Sequence, residues 1–540
     1  MLARLLLRRP CASHIQYRFL HAGRAGREDP RWPGYEVVIG IETHAQLKSR
    51  QKLFSHALTS GPKEQPNANV SVFDAAFPGT LPKLNPKCVD LGLRASIALN
   101  CDIQKRSSFD RKHYFYSDLP TGFQITQQYA PLAKNGSLDV YLPDQPTPAT
   151  VRIKQLQLEQ DTAKSTFIGR TLASLVDLNR AGTGLMEIVT EPDLRSPEEA
   201  GAYVRALQAI LRAVGASDGN MEEGSLRCDV NVSVNRAGEP WGTRCEIKNL
   251  NSVRFMQAAI TSEIRRHIDI LTSPNPIVSQ ETRGFDENTF ETFKLRSKED
   301  APDYRYMPDP NLGTLVLSEE RIATIKRTLP ELPWETRRRL LSSYGFPEKQ
   351  VDTLMKLDSV KDVPLDGETS TIQGPIQYFD ALCEGTKRDS KAVYNWMMHE
   401  LLGQLTSRKQ DFQSNTLTVQ QLAELIDLVQ GKILTGTSAK YLMRHMLSNP
   451  SNQPTKQVAE EQQLLSPEQT QEVKGASLVN DLEGVIQNAM ESMPKEVAAL
   501  KAGHMGVLNK IVGRVMKESR GRADAKSVKE VIERVVSTTP

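Results

Sequence analysis

The chain has 540 residues, with 68 Lys and Arg against 65 Asp and Glu for a net charge of +3. That length exceeds one ordinary hydrophobic core, so two to four domains of ~100–200 residues are expected. The near balance of charge excludes a polybasic protein and leaves nucleic-acid binding to local patches. No apolar run reaches the ~20 residues that cross a bilayer, which excludes a helix-spanned membrane protein.

The first 27 residues carry Arg4, Arg8, Arg9, Arg18, Arg24 and Arg27, no acid, and interspersed Leu2, Leu5, Leu6, Leu7, Ile15, Phe19 and Leu20. This is the composition of a mitochondrial transit peptide, a disordered basic tail being the alternative; residues 1–34 are set apart on that basis. From residue 35 to 316 the pattern is strand-rich with short helices. Val37-Val38-Ile39-Gly40-Ile41 opens it as a strand, and Glu42 and His44, two apart, face the same way. An imidazole and a carboxylate on one face can share a divalent metal, or can be a surface pair.

Residues 109–128 interleave Arg111, Lys112 and His113 with Tyr114, Phe115 and Tyr116. Rings that stack on unpaired bases beside cations that meet phosphates suit an RNA end at Lys112, Tyr114 and Tyr116; ordinary core packing is the alternative. Alternation over residues 151–161 predicts a strand with Gln157, Glu159 and Asp161 on one face and Gln160 on the other. Lys164 and Ser165 follow as candidate nucleotide contacts outside any G-x-x-x-x-G-K-[ST] loop, with a solvated charged turn as the bland reading.

Ser196-Pro197-Glu198-Glu199 is a capping box opening a helix that carries Tyr203, Leu207, Ile210, Leu211 and Val214 at helical spacing and stops near Gly215. Residues 228–234 alternate strictly as a strand, Asn235-Arg236-Ala237-Gly238 is turn chemistry, and residues 241–250 read as the returning strand. Asp229, Asn231 and Ser233 share one face of the first strand; Arg244, Glu246 and Lys248 share one face of the second. Such a hairpin could bind metal and phosphate together, or could be a solvated face with cross-strand ion pairs.

After residue 316 strand signals fade: residues 317–392 read as a helical domain and 393–540 as an all-α tail. Thr418 and Gln421 form a capping pair before Leu422, Leu425, Ile426 and Val429, and residues 449–475, rich in Gln, Glu, Ser and Pro, read as an exposed linker or insertion. Lys501, Lys510, Arg514 and Lys517 accumulate among glycines near the end, suited to a phosphate backbone or to a plain charged helix pair. The six cysteines lack C-x-x-C spacing, and G-x-S-x-G is absent, so neither a structural zinc site nor a hydrolase nucleophile is indicated.

The segments Val38-Ile39-Gly40-Ile41-Glu42-Thr43-His44, Phe109-Asp110-Arg111-Lys112-His113-Tyr114-Phe115-Tyr116, Glu187-Ile188-Val189, Met221-Glu222-Glu223-Gly224-Ser225-Leu226-Arg227-Cys228-Asp229, Glu246-Ile247-Lys248-Asn249-Leu250 and Asp303-Tyr304-Arg305-Tyr306 together resemble the GatB family, in family order. The resemblance implies an α+β fold: a cradle-shaped catalytic domain with antiparallel strands over residues 35–316, then the helical domain, then a YqeY-like tail that binds tRNA. It implies a mitochondrial-matrix, ATP- and Mg2+-dependent subunit that activates glutamate on tRNA(Gln), partnered by an amidase A subunit that supplies ammonia and by a small third subunit. The cation would fall on Glu42, His44, Glu159, Asp229 and Glu246, with Arg227 and Lys248 taking phosphate charge. Relatives have two consecutive acids where this chain has Glu159-Gln160, so if the second is a ligand, one ligand here is a neutral amide; Thr162-Ala163 and Gly184 also depart from the pattern. A non-catalytic tRNA-binding scaffold is the competing expectation, with a stand-alone metal hydrolase the third; carboxylate-rich strands favour the enzyme, since acids repel phosphates unless a cation intervenes.

Overall fold

The computed structural model describes residues 29–61, 63–142, 147–297, 303–359, 362–368, 374–384, 388–465, 479–501, 505–518, 528–532 and 534. The expected leader therefore lies almost wholly outside the described residues. The chain divides into two compact units, Met1–Pro330 with Val363–Glu368, and Glu331–Asp362 with Thr369–Pro540.

The first unit is built on a nine-stranded sheet. From edge to edge it runs Glu291–Ser297, Glu281–Asp286, Cys245–Leu250, Leu226–Arg236, Tyr35–Gln46, Gly184–Thr190, Ala149–Gln160, Ala133–Val140 and Asp102–Ile103. The expectation of antiparallel strands needs one correction: Cys245–Leu250 and Glu281–Asp286 pair in parallel, making the sheet mixed. The cause is the helix Val253–Thr272 between them, a crossover that returns the chain to the same end of the sheet before the next strand begins.

Strict alternation sorts the two faces. Val37, Ile39 and Ile41 lie opposite Val234, Val232 and Val230, and all six are buried. On this apolar face the helix Val253–Thr272 packs against Leu226–Arg236 and against the helix Pro197–Ala213. Ser196 caps the latter, its Oγ accepting from the Glu199 amide at 3.1 Å, with Pro197 at the first helical position. Burying one side leaves the other free for Glu36, Glu42, His44, Arg227, Asp229 and Asn231.

The returning strand is shorter than its sequence pattern. It begins at Cys245, a bulge separates Cys228 from Val230 in the ladder, and Trp241 stays half-exposed. A smaller three-stranded sheet, Met307–Pro308, Asp110–His113 and Phe123–Thr126, lies beside the strand Ala149–Gln160, where Gln157 Nε2 donates to Thr126 Oγ1 at 3.1 Å.

The second unit is helical among its described residues. Thr418 and Gln421 form the expected reciprocal cap of helix Val419–Gln430, which buries Leu422, Leu425 and Ile426. Of the linker or insertion expected over 449–475, residues 466–475 lie outside the described residues, and Thr455–Glu461 form a helix that is not fully exposed: Val458 and Ala459 are buried, and Thr455 Oγ1 donates to the Gln421 carbonyl at 2.7 Å. Three apolar positions, Val458, Ala459 and Leu464, suffice to tie that polar segment down.

Candidate active site

Residues paired across a sheet share a face. The register sets Glu42 opposite Asp229, and His44 opposite both Arg227 and Glu187. Glu187 lies opposite Gln157, and Asn231 opposite Glu246. A polar row thus crosses five strands: Gln157 and Glu159, Glu187, Glu42 and His44, Arg227 and Asp229, then Glu246 and Lys248.

At one end His44, Glu159 and Glu187 each present a donor atom, all within 4.8 Å of one another. Glu159 is 2% exposed; its Oε1 accepts from Gln124 Nε2 at 2.6 Å, while its Oε2 is buried with no partner. Burial, then the charges of Glu159 and Glu42, push the Glu187 carboxyl up to about 8, against the pull of Lys112. Burial works against the Lys112 ammonium, yet Glu159 and Glu187 hold it above the usual lysine range. Two crowded carboxylates, one of them with an orphaned buried oxygen, and an imidazole are an N/O donor set that fits a hard divalent cation.

The rest of the row is organised around Lys248. Its Nζ lies 2.7 Å from Asp229 and 2.9 Å from Glu246, and the Asn249 amide donates to Asp229 at 3.0 Å. Burial opposes ionisation of Asp229, but Lys248 and His44 outweigh it and keep that carboxyl below the usual range. Glu246 also accepts from Thr282 at 3.2 Å, and Glu42 from Asn231 at 3.2 Å. Of the five expected ligands, His44 and Glu159 thus stand together, whereas Glu42, Asp229 and Glu246 belong to no three-donor group among the described residues.

Arg227 donates to both Asp161 oxygens at 3.0 Å, and its own Nε is buried without a partner. Asp161, 4% exposed, is also 3.5 Å from Arg180 Nε, which donates to the Thr162 carbonyl at 2.9 Å while Arg180 Nη2 donates to that of Ala163 at 2.8 Å. Lys164 and Ser165 begin an exposed two-stranded ribbon, Lys164–Ile168 with Ala173–Asp177. Gln160 pairs with Gly184, whose missing side chain would meet Leu47, Leu53 and Cys88. The neutral amide therefore sits on the core face and does not enter the polar row.

Residues 37–323 match the model of the GatB/GatE catalytic domain, and residues 377–536 match the GatB domain. A Laccaria bicolor protein, named as the mitochondrial B subunit of glutamyl-tRNA(Gln) amidotransferase, is 59% identical over 96% of this chain and 95% of its own length. The chain belongs to the GatB family. A human protein of the same name is 40% identical over 97% of this chain and 92% of its own length. A Zymomonas mobilis protein, named as the B subunit of aspartyl/glutamyl-tRNA(Asn/Gln) amidotransferase, is 42% identical over 93% of this chain and 97% of its own.

In this GatB-family chain the remaining expected residues stand as follows. Lys112 lies 5.0 Å from the Tyr304 ring centroid, Tyr114 Oη donates to Gln124 at 3.0 Å, and Tyr116 is 61% exposed. Lys510 and Arg514 are exposed on helix Leu508–Glu518, whose Leu508, Ile511 and Val515 are buried. The side chains of Lys501 and Lys517 lie outside the described residues. Reading by alternation did not assign a role to Glu187 or Gln124. Glu187 is the one charge in Gly184–Thr190, flanked in phase by Leu185 and Val189, so its strand carries no polar stripe; only its register against His44 exposes it.

Proposed function

We propose that this chain is the ATP-using B subunit of a mitochondrial glutamyl-tRNA(Gln) amidotransferase. The observation that carries the reading is the polar row, with an unpartnered Glu159 oxygen at one end and an Arg227 held ready for an anion beside it. A carboxylate does not yield to ammonia, because its leaving group would be oxide. If its oxygen first attacks the γ-phosphorus of ATP, ADP departs and a γ-glutamyl phosphate forms; ammonia then attacks the acyl carbon, phosphate departs, and a proton is released. The protein has mainly to align reactants and neutralise charge.

His44, Glu159 and Glu187 would hold Mg2+, and Glu42, Asp229 and Glu246 would add carboxylate charge farther along the same row. The cation supplies charge neutralisation on the phosphoryl oxygens. Arg227, braced by Asp161, and Lys248, suspended between Asp229 and Glu246, take phosphate charge. Lys164 and Ser165 are the nucleotide contacts of this reading. Lys112, Tyr114 and Tyr116 seat the aminoacylated 3′ end, and the tail of residues 393–540, through Lys501, Lys510, Arg514 and Lys517, holds the tRNA body. An amidase A subunit and a small third subunit complete the enzyme. The names of the relatives and the GatB/GatE match support this assignment.

The test is phosphate release that depends on Glu-tRNA, measured for the assembled enzyme with Glu42→Gln, Glu187→Gln and Glu246→Gln. Losses of at least tenfold are expected; near-normal rates remove the residue concerned. If the wild type consumes no ATP in the presence of Glu-tRNA, the non-catalytic scaffold takes its place.

A further inference from the structure

Five tyrosine rings from three separate stretches of chain touch edge to face. Centroids lie 5.8 Å apart for Tyr116–Tyr114, 5.9 Å for Tyr114–Tyr304, 6.0 Å for Tyr304–Tyr306 and 6.1 Å for Tyr306–Tyr129. This is not a core: Tyr116 is 61% and Tyr129 65% exposed, and Tyr304 and Tyr306 are partly open. Edge-to-face contact leaves ring faces uncovered, and large exposed aromatics cost hydration free energy unless a ligand covers them.

The ladder is tied to the carboxylate centre at two points. Tyr114 Oη donates to Gln124, which donates in turn to Glu159, and the Lys112 ammonium sits over Tyr304 under the pull of Glu159 and Glu187. The stretch that carries its central ring, Tyr304, is held by the backbone as well. The His113 amide donates to the Tyr304 carbonyl at 2.9 Å, and Met307–Pro308 pairs with Asp110 and Arg111. A run of edge-to-face rings with open faces, a lysine ammonium beside it and a hydrogen-bonded link to a carboxylate centre is what an unpaired base needs when the group it carries must reach that centre.

Resting on the reading that an aminoacylated RNA end is delivered here, we propose that Tyr129, Tyr304 and Tyr306 form the shelf on which the terminal unpaired purine of that RNA stacks. Tyr114, whose hydroxyl is committed to Gln124, anchors the shelf to the carboxylate centre.

The experiment is a binding cycle with the full-length chain and a tRNA(Gln) transcript, with and without its terminal adenosine. Stacking of one base on aromatic side chains is worth ~1–3 kcal/mol, about tenfold in Kd. The Tyr304→Leu/Tyr306→Leu variant is expected to weaken the intact transcript about tenfold and the truncated one not at all, while Tyr304→Phe/Tyr306→Phe keeps wild-type affinity for both. A 2-aminopurine in place of the terminal adenine is quenched on the wild type and bright on the leucine variant. Equal loss on both transcripts, no loss on either, or a wild type indifferent to the terminal base overturns the shelf and leaves the rings to a protein partner or to packing. Binding without ATP reports the shelf alone, whereas Glu-tRNA-dependent phosphate release reports the catalytic reading, so either can fail while the other stands.

Discussion

Replacing Glu263 by Gln removes the hub behind the site. Glu263 is fully buried on helix Val253–Thr272, facing away from the polar row. Its oxygens accept from His267 at 3.0 Å and Thr292 at 2.8 Å, with Arg283 at 3.1 Å and Arg266 also paired to it. Burial opposes its charge, yet hydrogen bonds from His267 and Arg266 hold the carboxyl far below the usual range. With the charge gone, Arg283, 8% exposed at its side chain, keeps Glu281 at 2.6 Å and its bonds to the Thr292 hydroxyl and carbonyl at 3.2 and 2.9 Å, and Arg266 keeps its contact with the Cys245 sulfur at 3.4 Å. Breaking a buried pair from one side costs about 3–5 kcal/mol, and the surviving Glu281 contact puts this case near the low end, about 3 kcal/mol. Hydrogen exchange of the hairpin 281–297 should then quicken by about two orders of magnitude in the variant, if its amides exchange through opening of this packing. The sign with pH follows from the lowered carboxyl. Its stabilisation is complete above the unfolded value of about 4.3 and is lost as pH falls through the folded one, so at neutral pH the full difference is present and it shrinks only in strong acid. Exchange unchanged at pH 7, or a difference that widens on acidification, would refute the reasoning.

Three further outcomes are expected. Asp161→Asn frees Arg227 from its two-oxygen clamp, and the KM for ATP should rise about tenfold with a smaller fall in kcat; an unchanged KM shows that Arg227 needs no brace. Gly182→Ala forces a side chain into φ +80° with its Cβ driven into Asp74 Oδ1, beside the buried Lys52–Asp74 pair, and should cost about 1–3 kcal/mol by thermal or denaturant unfolding; a neutral result refutes the clash. Lys510→Ala with Arg514→Ala should weaken binding of any tRNA and flatten the dependence of log Kd on log salt by up to about 2, whereas a change confined to one tRNA would place these residues at an identity element.

Much of the local structure was legible in the chain. The cap at Ser196, the reciprocal cap at Thr418 and the alternation of residues 228–234 follow from short-range chemistry that no tertiary contact overrides. Glu42 with His44, and Glu159 with Gln160 turned away, were also readable, because a strand has a period of two. The helix at Thr455–Glu461 was hidden by composition: its polar exterior reads as linker, and what stabilises it is contact with Val419–Gln430. The parallel pair was hidden for the same kind of reason, since a crossover helix is visible in sequence but the strand it returns to is not.

The sequence by itself determined which side chains each strand turns toward the same side, and which residues could carry charge, stack or bind a cation. Only the tertiary structure decided which of them meet. Glu187 joins His44 and Glu159 across nearly 150 residues of chain, Arg227 is clamped by Asp161, and Lys248 stands between Asp229 and Glu246. Strand period is a property of the backbone alone, whereas register between strands is set by the burial of a whole face at once, and no single segment contains that information.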